Sequence, residues 1–230
     1  MTAAISWESC YRIIAAQLPR IDIFEQVTAP GDLPAVLRIE ALTNPRVREM
    51  AGALRSVDPA DYVGGPGSTF VMAPFAYPRA SRFTDGSFGV YYAGDLIDTA
   101  IAEHKYHRAA FLGDTSEPPG VFDHRVIEAA VEGQLEDVAR EPNAAVLLDP
   151  ADYRISRAYG AVLHAARADG LMWPSVRRRG GTCIGVFKPR LIRNARSAYY
   201  LGYRWDGASV YDVFRMESLT ATYPAEPPTR

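Results

Sequence analysis

Hydrophobic and polar positions change their spacing along the chain, and the spacing predicts helices first and mostly short strands afterwards. In the first third, apolar residues recur every three to four positions, which predicts amphipathic helices. We therefore expect residues 1–57 to form a helical N-terminal segment that packs on the main domain. Its helices are predicted over residues 7–18 with Ser6 as the cap, over residues 34–42, and from Asn44 to Gly52.

From residue 58 the pattern changes to short extended runs separated by turns rich in glycine. Hairpins with segregated helices predict an α+β domain, which we place at residues 58–223, followed by a tail at residues 224–230. Helices are predicted over residues 96–112, with Asp95 as the cap, and from Asp149 to Ala168, and extended runs over residues 81–83, 89–93, 121–131, 144–148, 171–175 and 182–187, with a further hairpin over residues 203–214.

The composition excludes several classes of protein. The chain has 230 residues, of which 48% are hydrophobic and 23% charged, as in soluble globular proteins. A net charge of −2 at pH 7 gives no global basic field for nucleic acid. The two cysteines, Cys10 and Cys183, make neither a disulfide framework nor a zinc site. No signal peptide or long apolar run is present, so we expect a cytoplasmic protein without a membrane segment.

Residues of mixed character share one face of the helix that follows Asp95. A carboxylate on a face that packs against a sheet costs free energy unless it is paired or lies at the edge of a cleft. The pattern alone leaves Glu103 open as a boundary ion pair or as a functional carboxylate, and it favours a structural role for His107. The face consists of Leu96, Ala100, Glu103, His107 and Phe111, which step by four, three, four and four positions.

Three other features have an ordinary interpretation beside a chemical one. Two histidines, His104 and His107, follow Glu103, but their spacing differs from that of a zinc-protease helix, so we predict no metal. The loop at residues 64–68 could cradle phosphate, although a plain turn is favoured. The arginines at residues 177–179 could contact RNA, although a solvated hairpin tip is favoured. We therefore predict no direct nucleic-acid partner.

Three segments together are similar to the motifs of the RES-domain family. The arginine, glutamate and serine from which the family takes its name fall on Arg82, Glu103 and Ser175. The family spacing selects Tyr92 rather than Tyr91 as the motif tyrosine. The segments are Ser81 to Ala93, Thr99 to Glu103, and Trp173 to Arg177 followed by Gly180, Gly181 and a strand to Pro189, with Phe83 and Thr84 standing where many members have tryptophan and asparagine.

The resemblance implies an activity and a partner. Members have folds similar to ADP-ribosyltransferases and are toxins of bacterial toxin–antitoxin pairs that degrade NAD+ by hydrolysis or phosphorolysis. It implies no cofactor beyond NAD+ as substrate, with inorganic phosphate as the alternative co-substrate, and an Xre-like helix-turn-helix antitoxin as partner. Two other functions stay open, namely ADP-ribosylation of a cellular protein and a non-catalytic interaction module. The oligomeric state also stays open, a homo-oligomer included.

The residue chemistry assigns a role to each position of the resemblance. Glu103 would stabilise the oxocarbenium-like ribose as the nicotinamide bond breaks. Arg82 would hold the pyrophosphate through its guanidinium fork, and Arg177, two residues beyond Ser175 along a strand, would add phosphate-binding charge. Tyr92 would stack on the nicotinamide or line its pocket. Ser175 would offer a small donor and acceptor near ribose or phosphate, without being the nucleophile.

Overall fold

The strands and helices form an α+β fold, which confirms the predicted class. The structure is a computed structural model that describes residues 1–16, 24–25, 27, 29–42 and 44–217, and the expected tail at residues 224–230 lies outside these ranges. The strands are β1 (Thr2–Ala15), β2 (Tyr91–Gly94), β3 (Gly120–Asp137), β4 (Gly170–Pro174), β5 (Thr182–Val186), β6 (Ile192–Trp205) and β7 (Val210–Met216). The α-helices are α1 (Leu33–Glu40), α2 (Pro45–Ala53), α3 (Ser68–Ala76), α4 (Ile97–Asp114), α5 (Ala144–Leu147) and α6 (Arg154–Ala165).

All seven of these strands belong to one sheet, in the order β1-β2-β5-β4-β3-β6-β7. The long strand β3 pairs antiparallel with β1 and β6, and over Glu136 and Asp137 it pairs parallel with β4. At the other side, β1 pairs with β2 through Tyr11 and Gly94. Strands β1, β2, β5, β4 and β3 therefore form a closed ring, from which β6 and β7 extend.

The helix predicted over residues 7–18 is wrong wherever the structure describes these residues, because residues 2–15 form β1. β1 pairs with β3 along almost its whole length. Its register shifts between Trp7 and Cys10, where β1 has one residue more than β3. Such a bulge resets the two-residue alternation of a strand, so apolar residues on its two sides recur at helical spacing.

Shorter segments also differ from the predictions. Residues 144–148, expected to be extended, contain α5, because a short apolar run has no periodicity that separates helix from strand. Residues 81–83 are irregular, and β2 begins only at Tyr91. The helix expected from Asp149 begins five residues later, at Arg154. The helices predicted at residues 34–42, 44–52 and 96–112 and the hairpins at residues 171–187 and 203–214 are confirmed.

Helices pack on both faces of the sheet. α1, α2 and α3 pack on one face, where Leu37, Met50 and Phe75 join the core. α4 packs on the opposite face, where Ala100 and Leu112 join a second buried cluster. A third cluster lies between α5, α6 and the β4–β5 hairpin. Among the described helices, none is both long and apolar enough to cross a membrane.

Candidate active site

The start of α4 is tied to β5, and this fixes the helix that carries Glu103. Asp95, just before the helix, accepts a hydrogen bond at Oδ1 from the Thr99 hydroxyl (2.7 Å) and at Oδ2 from the Thr182 backbone N–H (3.0 Å). A Cβ at Gly181 would overlap the Thr99 hydroxyl, so the loop before β5 needs glycine to approach α4 this closely. The helix and the hairpin are therefore held in one alignment.

Neutral donors hold the carboxylate of Glu103. The Ser175 hydroxyl donates to Glu103 Oε1 at 2.6 Å, and the Cys183 thiol lies 3.6 Å from the same oxygen. In the part of the chain that the structure describes, no cationic nitrogen lies within 4.0 Å of this carboxylate. The boundary ion pair considered for Glu103 is therefore wrong, because a hydroxyl and a thiol occupy its place.

The face of α4 that carries Glu103 runs from the sheet to the solvent. Ala100 is 7% exposed, whereas Leu96 and Phe111 at the two ends of the face are 49% and 50% exposed. Glu103 itself is half-buried. The expectation that the whole face packs on the sheet is wrong, and Glu103 lies where the packed part of the face ends. We call the cleft the region bounded by His107 and by the three charged groups within its electrostatic reach, which are Glu103, Arg177 and Arg82.

Ser175 uses its full hydrogen-bonding capacity at this edge. Besides donating its only hydroxyl proton to Glu103, it accepts from the backbone N–H of Arg177 (3.1 Å) and of Arg178 (2.9 Å). These bonds close a turn directly after β4, which ends at Pro174. Arg177 therefore lies in a loop, and its expected position on a strand is wrong. Ser175 orients Glu103, and among the described residues its hydroxyl proton has no acceptor besides this carboxylate.

Arg82 lies at the other side of the cleft and is only 7% exposed. Its Nη1 donates to the Asp149 carbonyl oxygen at 2.7 Å, and its guanidinium lies 4.3 Å from the centre of the Tyr153 ring. Stacking on an aromatic face leaves further N–H groups of the fork in their plane. Arg82 is thus held in place without an acidic partner within 4.0 Å among the described residues.

Tyr92 positions the segment that carries Arg82. Its hydroxyl accepts from the backbone N–H of Phe83 (3.1 Å) and shares a hydrogen bond with the Ser81 hydroxyl (2.8 Å). Burial raises the pKa of Tyr92 to about 12, against the lowering effect of these bonds. Tyr91 is fully buried and its hydroxyl has no partner among the described residues. It is Tyr92, therefore, that bonds to both sides of Arg82.

The two arginines meet at the loop between α5 and α6, residues 148–153. Arg177 Nη2 donates to the carbonyl oxygen of Pro150, next to the Asp149 carbonyl that binds Arg82. The guanidinium of Arg177 also lies 3.4 Å from the centre of the Tyr106 ring. Within the described ranges neither arginine has a carboxylate within 4.0 Å. Two cations held at consecutive carbonyl oxygens without acids carry the charge that binding of an anion with more than one negative group requires.

His107 belongs to the same cleft, a position that the sequence interpretation missed. Although the side chain is exposed, partial desolvation lowers its pKa, Glu103 opposes this shift, and Arg177 and Arg82 add to it, so His107 is within electrostatic reach of all three groups. The ring lies 6.4 Å from that of Tyr153. The signal in the sequence was its position, four residues after the glutamate on one helical face.

The structure therefore brings Glu103 and Ser175 into direct contact and joins Arg82 and Arg177 through one loop. Tyr92 helps to position Arg82, because its hydroxyl is hydrogen-bonded to the flanking residues Ser81 and Phe83. The aromatic residues Tyr106 and Tyr153 were not among the predicted site residues, and no residue pattern marked them. Among the described residues, no group of three or more His, Cys, Asp or Glu side chains could hold a metal ion.

Comparison with known proteins places this site in a family. A family model described as the RES domain matches residues 53–206, which include Arg82, Glu103 and Ser175. The chain is 28% identical over 202 residues to "Uncharacterized protein y4oC" of Sinorhizobium fredii (strain NBRC 101917 / NGR234), covering 87% of this chain and 84% of that protein. It is also similar to a crystal structure of the M. tuberculosis MbcT–MbcA toxin–antitoxin complex, with a TM-score of 0.44, 14% identity and 86% of each chain covered. Because the family model covers well over half of its residues, the chain belongs to the RES-domain family.

Proposed function

We propose that this protein is a toxin that degrades NAD+ by cleaving the bond between nicotinamide and ribose. The observation that carries the proposal is the setting of Glu103, a carboxylate held by Ser175 with no cation within 4.0 Å among the described residues. A negative charge that no protein cation neutralises is available to a positive charge that develops on a ligand. Family membership supports the same activity.

Cleavage of the bond between nicotinamide and ribose needs a leaving group and a negative charge that stabilises the transition state. As the C1–N bond breaks, its electron pair leaves with nicotinamide and positive charge develops on the ribose. Glu103 stabilises that charge, and Ser175 keeps the carboxylate in one orientation. An oxygen of water or phosphate then forms the new bond to C1, and a proton of the attacking water is released to solvent or to a nearby base. His107 lies within electrostatic reach of Glu103 for that purpose.

The two arginines supply the binding of the rest of the substrate. Arg82 and Arg177 are fixed at consecutive carbonyl oxygens, those of Asp149 and Pro150. Consecutive Cα atoms are about 3.8 Å apart, so the two guanidinium groups are drawn to neighbouring points of one loop. This arrangement suits the two linked phosphates of a dinucleotide better than a single carboxylate.

The test is incubation of the purified full-length chain with NAD+, with and without inorganic phosphate, and identification of the products by mass. Release of nicotinamide with ADP-ribose supports hydrolysis, and release with a phosphorylated ADP-ribose supports phosphorolysis. Nicotinamide release that requires an added cell extract, with ADP-ribose attached to a protein, would assign the transferase activity instead. No release under any of these conditions would leave the non-catalytic interaction module.

The partner of the toxin is proposed to be an Xre-like helix-turn-helix antitoxin that blocks the cleft. Arg82 and Arg177 have no acidic partner within 4.0 Å among the described residues, so an acidic or carboxylate-ending segment of the antitoxin would bind them. Co-expression with the product of the neighbouring gene should restore growth and yield a stable complex. Growth arrest that persists despite a stable complex would contradict the blocking of the cleft.

A further inference from the structure

One short loop holds both arginines of the cleft. The loop between α5 and α6 presents the carbonyl oxygens of Asp149 and Pro150 to Arg82 and Arg177, respectively. It also presents the ring of Tyr153 to the guanidinium of Arg82. The direction of both guanidinium groups therefore depends on the conformation of these few residues.

The conformation of the loop depends in turn on the side chain of Asp149. A single carboxylate oxygen, Oδ1, accepts hydrogen bonds from the backbone N–H of Ala151 (2.8 Å) and of Asp152 (2.7 Å). This is an Asx turn, in which a side chain folds the backbone that follows it. The ring of Pro150 fixes φ inside the turn and brings no N–H that needs a partner. The two bonds also lower the pKa of Asp149, with a contribution from Arg82.

The cost of this arrangement is the proximity of two positive charges. Like charges at neighbouring points repel each other, and the groups that contact these two cations are carbonyl oxygens and the rings of Tyr153 and Tyr106, without a carboxylate within 4.0 Å among the described residues. A preorganised pair of cations loses less entropy when a ligand binds than a pair of free side chains does. A ligand with two adjacent negative groups would therefore reduce the repulsion between the two guanidinium groups that the loop holds in place.

We propose that Asp149 is a positioning residue that sets the distance between Arg82 and Arg177, and thereby selects substrates that carry a diphosphate. This inference rests on the proposed function for its choice of substrate. The positioning of the two arginines by Asp149 concerns anion binding alone, and it can be measured without catalysis.

The first experiment measures binding of inorganic pyrophosphate to the full-length chain by titration calorimetry. In Asp149→Ala the turn loses its acceptor, and we expect the affinity to fall at least about fivefold. In Asp149→Asn the side-chain oxygen can still accept both bonds, and we expect an affinity within about threefold of the wild type. Loss in both variants to the same extent would overturn the role of the turn, as would an unchanged affinity of Asp149→Ala.

A matched control exists in the same chain. Asp206, in the β6–β7 turn, accepts from the backbone N–H of Ala208 (2.8 Å) and of Ser209 (2.7 Å) through one oxygen, in the same pattern as Asp149. Asp206→Ala should destabilise the protein to a similar extent in thermal melts and leave pyrophosphate binding unchanged. If Asp149→Ala does not fold, Pro150→Gly loosens the same turn from an exposed position, and a several-fold weaker affinity is expected for it.

The second experiment separates the selection of the diphosphate from the cleavage reaction. We compare NAD+, nicotinamide mononucleotide and nicotinamide riboside, which carry two, one and no phosphate groups. In Asp149→Ala, KM should rise most for NAD+ and not at all for the riboside, with kcat little changed. An equal loss for all three would overturn the positioning role. If wild-type protein binds pyrophosphate but cleaves none of the three, the proposed function fails while the binding measurement still decides the role of Asp149, and wild-type protein that does not bind pyrophosphate overturns the inference itself.

Discussion

The Ser175 hydroxyl donates its proton to the Glu103 carboxylate at 2.6 Å, and this bond joins the β4–β5 hairpin to α4 across the cleft. Through this bond Ser175 holds the carboxylate of Glu103 in one orientation. A nucleophilic serine would need a base that takes its proton as it attacks. In this geometry the hydroxyl proton points at Glu103, which the proposed reaction needs as an anion. The two residues therefore have different mutational consequences.

Glu103→Gln keeps the shape of the side chain and an oxygen that accepts from Ser175, but removes the charge. We expect turnover of NAD+ to fall by about 10²–10³-fold or more, with NAD+ binding affected less, because the charge acts mainly in the transition state. The measurement is NAD+ consumption by purified protein, with thermal melts beside it. Glu132→Gln, on the exposed part of β3 and paired with Arg193, is the control. Near-normal turnover by a folded Glu103→Gln protein would contradict the catalytic assignment.

Ser175→Ala removes the orienting donor and leaves two backbone N–H groups of the turn without their acceptor. We expect kcat to fall by about tenfold, clearly less than for Glu103→Gln, and the unfolding free energy to drop by about 1–2 kcal/mol. Steady-state kinetics and mass spectrometry of the protein after reaction check this. A loss as complete as that of Glu103→Gln, together with an ADP-ribosyl adduct on Ser175 in the wild type, would show a nucleophile instead.

Two adjacent tyrosines should respond in opposite ways to loss of the hydroxyl. Tyr92→Phe breaks the bonds to Ser81 and Phe83, so we expect about 1–2 kcal/mol less stability and a higher KM for NAD+, because Arg82 loses its support. Tyr91→Phe removes a buried hydroxyl that has no partner among the described residues, so stability should stay the same or increase. Denaturant unfolding of both variants is the check, and equal destabilisation would contradict it.

The contact between fully buried His124 and partly buried His104 predicts how stability depends on pH. Burial lowers the pKa of His104 well below its usual value and that of His124 to about 4. Below about pH 6.5 the unfolded chain binds protons at these rings, whereas the folded protein does not. The contribution of the two neutral rings to the unfolding free energy is therefore fully present above about pH 6.5 and is lost as the pH falls. Each ring contributes up to about 1.4 kcal/mol per pH unit in that range.

Thermal melts between pH 7.5 and pH 5 measure this loss. His124→Phe keeps an aromatic ring against Tyr203 and removes one titrating group, so its melting temperature should depend less steeply on pH than that of the wild type. Equal slopes for the two proteins would show that other groups cause the acid destabilisation.

The sequence allowed the prediction of elements whose pattern is local. The helix that carries Glu103 was predicted with nearly correct bounds, although its N-cap is Leu96 and not Asp95. The β4–β5 hairpin follows from its turn and alternation, and the motif resemblance placed Glu103 on the helix and Ser175 on the hairpin. β1 could not be predicted, because the bulge after Trp7 imitates helical spacing and only its pairing with β3 makes it a strand. The support of Arg82 by Asp149 is likewise a contact between distant segments, and nothing in the neighbourhood of either residue in the sequence indicates it.

The position of β1 in the ring also governs the order in which the molecule is completed during synthesis. Its partners on β3 lie more than 100 residues further along the chain, as Arg12 and Ile127 do. During translation β1 therefore leaves the ribosome with two unpaired edges, and it stays unpaired with β3 until β3 has been synthesised. Contacts between residues so far apart in the sequence slow folding. The bond between Glu103 and Ser175 requires still later residues, so the contact between these two side chains cannot form in a nascent chain until nearly all of the ring has been made.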